Sequence, residues 1–227
     1  MTNDYRHTYD MNQESILQIL AQPRSASIYV KLFLTKLFPD KKIIYQHTGN
    51  LSHKMSVIVV RDIRDSIFSR LRLKDVMEED DHHENLYHDG KFLINSENDI
   101  DKIIHSHHVK YLLESNKCCA KNYKSDSVLV LFYEKFIDNP IIIFEYIENK
   151  WKISFEKDKK METINSLTKE KTKNIIDHPC WGNDHVGDGK IAKWKTIVPE
   201  HLHDYFCEKI GVIKGSFLKN EDYFIRS

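Results

Sequence analysis

The 227-residue chain has little glycine or proline and no long hydrophobic run. It contains 7 glycines and 5 prolines, and no stretch is rich in both, so nothing marks a linker between domains. We therefore expect one domain over 1–227. Apolar runs such as 141–144 are far shorter than the roughly 20 residues that a membrane-spanning helix needs, and no membrane span is expected.

Cysteine spacing, charge and the N-terminus exclude further classes of protein. The four cysteines, Cys118, Cys119, Cys180 and Cys207, show no spacing typical of a zinc ribbon or a redox pair. Reduced thiols in a cytoplasmic setting are the expectation. The 34 basic and 34 acidic residues cancel, which argues against a nucleic-acid partner. The polar tail 1–14 lacks the apolar region of a signal peptide.

Strand-like and helix-like patterns alternate along the chain. This alternation predicts an α/β fold of three layers, α/β/α, with a central parallel sheet. Strands are predicted over 15–22, 42–46, 56–60 and 128–132, and helices over 27–38, 65–76, 96–116 and 198–210, with one or two more in 155–176. Loops are predicted over 77–95, an acidic and His-rich stretch interpreted as an acceptor-side lid, and over 178–189.

Two short polar segments each follow a predicted strand and open a predicted helix. They are 22–27, with the sequence QPRSAS, and 59–69, with the sequence VVRDIRDSIFS. Free backbone N–H groups and the helix dipole favour an anion at such a turn. Because ligands of parallel sheets bind at the carboxyl ends of the strands, the two segments predict a ligand with phosphates at both ends.

The first segment resembles the phosphosulfate-binding loop of sulfotransferases that use 3′-phosphoadenosine 5′-phosphosulfate (PAPS). It is not a Walker A loop, because it has no glycine and its basic residue comes first. The residues that the resemblance places on the donor are Arg24, Ser25, Ala26, Ser27, Ile28 and Tyr29. Backbone N–H groups from Ser25 to Ile28 would hold the 5′-phosphate, and Arg24 would neutralise the leaving oxygen. Ala26 stands where the family has glycine.

The second segment resembles the family's 3′-phosphate motif. Arg61 follows the strand directly, and Ser69 lies eight residues further on. An arginine can bind a phosphate with two donors, and a serine on the same side can add a hydroxyl. Arg64, between them, is expected to be a solvated helix residue.

Two further pieces follow in the family's order. The stretch 132–140 resembles its strand-ending YEDL…P motif, and 187–195 resembles the RKGxxGxWK loop that closes over the 3′-phosphate. Gly189 matches a family glycine, whereas Ala192 replaces the next one and the Arg-Lys pair is missing. The resemblance implies that Lys190 or Lys193 supplies the lost charge. Trp194 is interpreted as a loop anchor.

The resemblance also implies a catalytic base after the strand 42–46. His47 occupies that place, and a histidine pKa suits proton transfer near neutral pH. His53 is a nearby alternative. The implied function is transfer of a sulfuryl group from PAPS to an acceptor hydroxyl or amine, with a P-loop-kinase-like core and no metal.

Three alternatives remain open from the sequence alone. A small-molecule kinase would use the same scaffold, and a non-catalytic nucleotide-binding relative would explain the glycine-to-alanine changes. A metal site is conceivable because His105 and His108 stand at helical i, i+3 spacing. Tyr29 could stack on adenine or pack in the core.

Overall fold

A computed structural model describes residues 15–72, 86–88, 91–123, 125–168, 171 and 191–211. In chain order the elements are β1 (Ile16–Ala21), α1 (Ser27–Leu37), β2 (Lys42–Gln46), β3 (Met55–Val60), α2 (Ile63–Leu71), β4 (Tyr87–His88), β5 (Lys91–Phe92), α3 (Glu97–His105), α4 (His107–Asn122), β6 (Val128–Phe132), α5 (Tyr133–Phe136), α6 (Ile141–Trp151), α7 (Lys157–Ser166), α8 (Trp194–Ile197), a 3₁₀ turn (Glu200–Leu202) and α9 (His203–Lys209).

The central sheet contains four parallel strands in the order β2-β1-β3-β6. Successive apolar residues of a strand point to opposite faces. On one face, Leu17 and Ile19 pack with Phe33 of α1 and Phe144 of α6. On the other, Leu20 of β1 packs with residues that include Cys119 of α4. Helices therefore cover both faces, and the predicted three-layer α/β/α fold is confirmed.

Three predicted helices differ from those observed. The helix predicted over 65–76 begins two residues earlier, at Ile63, and ends at Leu71. The helix predicted over 96–116 is wrong as a single element, because the chain leaves helical geometry at Ser106 (φ −61°, ψ 148°). The Ser106 hydroxyl accepts the N–H of Val109 at 3.1 Å, so a new helix begins there. The segment predicted as a helix over 198–210 instead starts with a 3₁₀ turn at Glu200–Leu202.

The predicted loops fall largely outside the described residues. Within 77–95, the described part includes β4 and β5, which pair antiparallel. The stretch 178–189 and the tail 1–14 are not among the described residues. No helix in the described part of the chain is long and apolar enough to cross a membrane.

Candidate functional site

The ends of β1 and β3 place the two polar segments side by side. Parallel pairing sets Ala21 opposite Val59, and the Gln22 N–H extends the ladder by donating to the Val59 carbonyl at 2.9 Å. The side-chain oxygen of Gln22, fully buried, accepts from the Arg61 N–H at 3.4 Å and from the Asn116 amide at 3.2 Å. Gln22 therefore joins the first loop, the second loop and α4.

The first loop turns through two residues with left-handed backbone geometry. Arg24 has φ 69° and Ala26 has φ 57°. The Ser25 hydroxyl donates to the Gln22 carbonyl at 2.6 Å and so closes the turn. The loop then feeds directly into α1, whose first residue is Ser27.

Both alanines that replace family glycines adopt the backbone that glycine favours. Ala192 has φ 56°, close to the value at Ala26. Left-handed geometry costs an L-residue roughly 1–2 kcal/mol, a cost that glycine largely avoids. The chain therefore carries backbone strain at these two positions, which glycine would relieve.

The structure brings Arg24, Arg61 and Ser69 together. The Arg24 Nε donates to the Ser69 hydroxyl at 3.0 Å. One terminal nitrogen of Arg61 donates to the Arg24 carbonyl at 3.3 Å. The two segments thus form one cluster at the carboxyl edge of the sheet, and the phosphate roles of these residues stay a prediction.

The Arg61 guanidinium is largely buried between an aromatic ring and a carboxylate. It stacks over the Tyr133 ring, 4.3 Å from the ring centroid, and lies 3.9 Å from an Asp65 carboxylate oxygen. Next to it, a Glu134 carboxylate oxygen accepts the Asp62 N–H at 2.8 Å. Burial raises the pKa of Glu134 to about 7. Aromatic and carboxylate groups therefore hold Arg61 in one orientation.

The expectation that Arg64 is solvated is wrong. Its side chain is 3% exposed, and its Nε donates to an Asp62 carboxylate oxygen at 2.9 Å. Its guanidinium lies over the Trp194 ring at 4.5 Å. Burial raises the pKa of Asp62, although the Arg64 charge opposes this shift. The segment around Trp194 covers α2, a long-range contact that the local pattern of charges did not reveal.

Asp65 anchors the C-terminal segment beside Arg61. One carboxylate oxygen accepts the Ala192 N–H at 2.7 Å and the other accepts the Trp194 N–H at 2.9 Å. The side chain of Asp65 is fully buried. Lys193 lies between these two anchored positions. Trp194 is buried against Phe206, in agreement with its interpretation as an anchor. Gly189 and Lys190 lie outside the described residues.

His47 lies at the carboxyl end of β2, on the same edge as the two loops. Its Nδ1 is 2.6 Å from the Ala21 carbonyl, and its Nε2 is 3.1 Å from the Tyr45 hydroxyl. Burial lowers the pKa of His47, so the ring is neutral at pH 7. The alternative base, His53, precedes β3 and therefore lies at the opposite edge of the sheet.

Ile28 and Tyr29 follow Ser27 in the first turn of α1. Ile28 is half-buried. The Tyr29 ring stacks on Phe136 with centroids 6.4 Å apart and planes 8° from parallel. Burial raises the pKa of Tyr29 to about 12. These contacts make Tyr29 part of the core, and a contact with adenine stays a prediction.

The histidines proposed as an alternative metal site lie on two different helices. His105 ends α3 and His108 stands in the first turn of α4, where its Nδ1 is 3.4 Å from an Arg70 nitrogen. Among the described residues, no group of three or more His, Cys, Asp or Glu side chains could hold a metal ion.

Several residues of the cluster were not assigned a role from the sequence. They are Gln22, Tyr45, Asp65, Asn116, Tyr133 and Glu134. Four of them could have been found from their place in the predicted strands. These residues lie near or just after the carboxyl end of a strand at the same edge of the sheet: Gln22, Tyr45, Tyr133 and Glu134. Asn116 had no such signal, since its contact depends on where α4 crosses the sheet.

Among the comparisons with known proteins, a solved structure matches the chain. The fold is similar to a crystal structure of mouse sulfotransferase SULT7A1 complexed with PAP, with a TM-score of 0.60, 10% sequence identity, and coverage of 87% of this chain and 82% of that chain. This likeness shows a sulfotransferase fold with a central parallel sheet. No family model matches the chain, and no curated protein sequence matches it.

The strained alanine at position 26 leads to a stability prediction. Ala26→Gly should raise the free energy of unfolding by about 0.5–1 kcal/mol, because relief of left-handed strain exceeds the added entropy of the unfolded chain. Urea unfolding measures the change. Ala120→Gly, in the ordinary helix α4, should instead destabilise by about 1 kcal/mol. Equal losses in both variants would contradict the strain at Ala26.

The anchoring by Asp65 leads to a second prediction. Asp65→Ala should lower the free energy of unfolding by about 2–4 kcal/mol, because the buried N–H of Trp194 and the partly buried N–H of Ala192 lose their acceptor. Urea unfolding with Glu145→Ala as an exposed helical control checks this. A loss no larger than that of the control would show that the C-terminal segment does not depend on Asp65.

Proposed function

We propose that this protein is a PAPS-dependent sulfotransferase, which transfers a sulfuryl group to an acceptor hydroxyl or amine. The observation that supports it most is the hydrogen bond from Arg24 to Ser69, which joins the candidate 5′-phosphosulfate loop to the candidate 3′-phosphate helix. A nucleotide phosphorylated at both ends matches two anion sites so joined. The structural neighbour, itself complexed with PAP, supports the same ligand class.

In the proposed complex the donor lies along the carboxyl edge of the sheet. The Ser25 N–H donates to the Gln22 carbonyl at 3.3 Å, so the backbone N–H groups that hold the 5′-phosphosulfate are those from Ala26 to Ile28, where the helix dipole also favours an anion. Arg61 and Ser69 hold the 3′-phosphate. Lys193 adds positive charge to that end, since Asp65 fixes the backbone on both sides of it.

The proposed chemistry is an in-line displacement at sulfur. His47 Nε2 takes the acceptor proton as the acceptor oxygen bonds to sulfur, and the bond from sulfur to the 5′-phosphate oxygen breaks. Arg24 stabilises the negative charge that develops on the leaving phosphate. The Ala21 carbonyl orients the ring by accepting from Nδ1, which leaves Nε2 as the basic atom.

The kinase alternative is less well supported by the site. It needs carboxylates after a strand to hold magnesium. The carboxylates that follow β3 and β6 are engaged within the protein. Asp62 binds Arg64, Asp65 binds two backbone N–H groups, and Glu134 accepts the Asp62 N–H. The non-catalytic alternative drew on the two glycine-to-alanine changes and on the missing Arg-Lys pair. Both alanines adopt the positive φ that glycine favours, which weakens the first ground, and the second ground lies outside the described residues.

A thermal-shift series tests the proposed function. The ligands are 3′,5′-adenosine bisphosphate (PAP), ATP with magnesium, and zinc. Selective stabilisation by PAP is the expected result, because a ligand that binds the native state raises its melting temperature. Stabilisation by ATP with magnesium alone would favour a kinase, and by zinc alone a metal-binding protein. No stabilisation by PAP would overturn the proposal.

Substitution of Arg61 tests the 3′-phosphate assignment. Arg61→Ala should weaken binding of PAP about tenfold or more, because a charge-assisted pair is lost, and should leave binding of 5′-AMP nearly unchanged. Isothermal titration calorimetry measures both. Arg61→Lys retains the positive charge but not the planar guanidinium, so its affinity for PAP should lie between those of the unaltered protein and Arg61→Ala. Equal losses for the two nucleotides would refute the assignment.

The lowered pKa of His47 leads to a pH prediction. Because burial places the pKa of His47 below the ordinary histidine value of 6.5, sulfuryl transfer should lose rate at acidic pH with a midpoint below pH 6.5. Release of labelled sulfate from PAPS across a pH series measures it. NMR titration of the ring, assigned by the signal missing in His47→Asn, gives the pKa directly. A pKa above 6.5 would contradict the prediction.

A further inference from the structure

The Tyr45 hydroxyl bridges the first loop and the candidate base. It is 2.7 Å from the Ser27 hydroxyl and 3.1 Å from His47 Nε2. Tyr45 stands near the carboxyl end of β2, the strand that pairs directly with β1. Its hydroxyl therefore occupies the space between the N-terminus of α1 and the atom that would accept a proton.

The hydrogen-bond pattern fixes the direction of this bridge. Carbonyl oxygens only accept, so the contact with Ala21 places the ring proton of neutral His47 on Nδ1. Nε2 is then an acceptor, and the Tyr45 O–H donates to it. The Ser27 hydroxyl in turn donates to the Tyr45 oxygen. Burial raises the pKa of Tyr45 to about 12, which keeps the phenol protonated and able to donate.

This arrangement occupies the base before any donor is bound. A lone pair on Nε2 that accepts from Tyr45 is not available to the acceptor hydroxyl. The sulfuryl group of a donor held at α1 would lie between the 5′-phosphate and Nε2, because the acceptor must approach sulfur from the side opposite the leaving phosphate. That is the region where the Tyr45 hydroxyl stands.

Resting on the proposed function, we propose that Tyr45 is a catalytic residue that recognises the sulfuryl group and releases the base. When PAPS binds, the Tyr45 O–H turns from His47 Nε2 to a sulfuryl oxygen. Nε2 then accepts the proton of the acceptor. Tyr45 keeps its own proton throughout, the sulfur–phosphate oxygen bond breaks, and the sulfur–acceptor oxygen bond forms. The base is thus made available by the arrival of the donor.

Binding of PAPS and of PAP separates this role from that of the phosphate loop. PAP lacks the sulfuryl group and is otherwise the same ligand. Tyr45→Phe should raise the dissociation constant of PAPS about tenfold, as expected for a lost hydrogen bond to a charged group. It should change the dissociation constant of PAP less than twofold. Isothermal titration calorimetry measures both constants. Tyr146→Phe, another partly buried tyrosine of the same face, is the matched control and should change neither.

Each outcome has a distinct meaning. If the unaltered protein binds neither PAPS nor PAP, the proposed function fails and this inference with it. If it binds both and Tyr45→Phe leaves their ratio unchanged, the inference about Tyr45 is overturned while the proposed function stands. An equal loss for both ligands also overturns it, because Tyr45 would then only shape the loop.

A measurement on the unaltered protein tests the same inference without a variant that could misfold. The ¹⁵N resonance of His47 Nε2 reports its hydrogen bond to Tyr45. Addition of PAPS should shift this resonance, and addition of PAP should leave it close to its position in the free protein. Equal shifts with the two ligands would show that Tyr45 does not respond to the sulfuryl group.

Discussion

The parallel pairing of β1 and β3 is the constraint on which the candidate site depends. The pairing continues beyond the end of β1, because the Gln22 N–H donates to the Val59 carbonyl. Both polar segments therefore begin at the same edge of the sheet. The buried Gln22 side chain then binds the backbone of Arg61. A slip of this register would separate the two loops.

The charged groups around α2 are buried in partnerships that leave little net charge. Arg64 pairs with Asp62, and Arg61 lies near Asp65 while it stacks on Tyr133. Burying unpaired charges would cost several kcal/mol for each ion. Their pairing explains how a cluster rich in ions can be buried at this edge of the sheet.

The sequence predicted the sheet better than the surroundings of the site. The strands 42–46 and 128–132 agree with the observed bounds. For 128–132 the reason is a continuous apolar run, which is typical of a buried parallel strand. The position of both polar segments at one edge of the sheet followed from the parallel strands, whereas the direct contact of Arg24 with Ser69 was not predicted. Arg64 was misjudged because its burial depends on Trp194, far along the chain. The break at Ser106 was missed because the apolar pattern continues on both sides of it.

Some residues of the candidate site that contact each other are far apart in the sequence. This separation affects the order in which the site folds during synthesis. Asp65 is separated by 127 residues from Ala192 and by 129 from Trp194, the two positions that it binds. A chain emerging from the ribosome exposes its N-terminal part first. The strands and the first loop can therefore assemble early, whereas the carboxylate of Asp65 lacks its backbone partners until the chain has been made to residue 194. The contacts that Asp65 makes with the C-terminal segment therefore form late in synthesis.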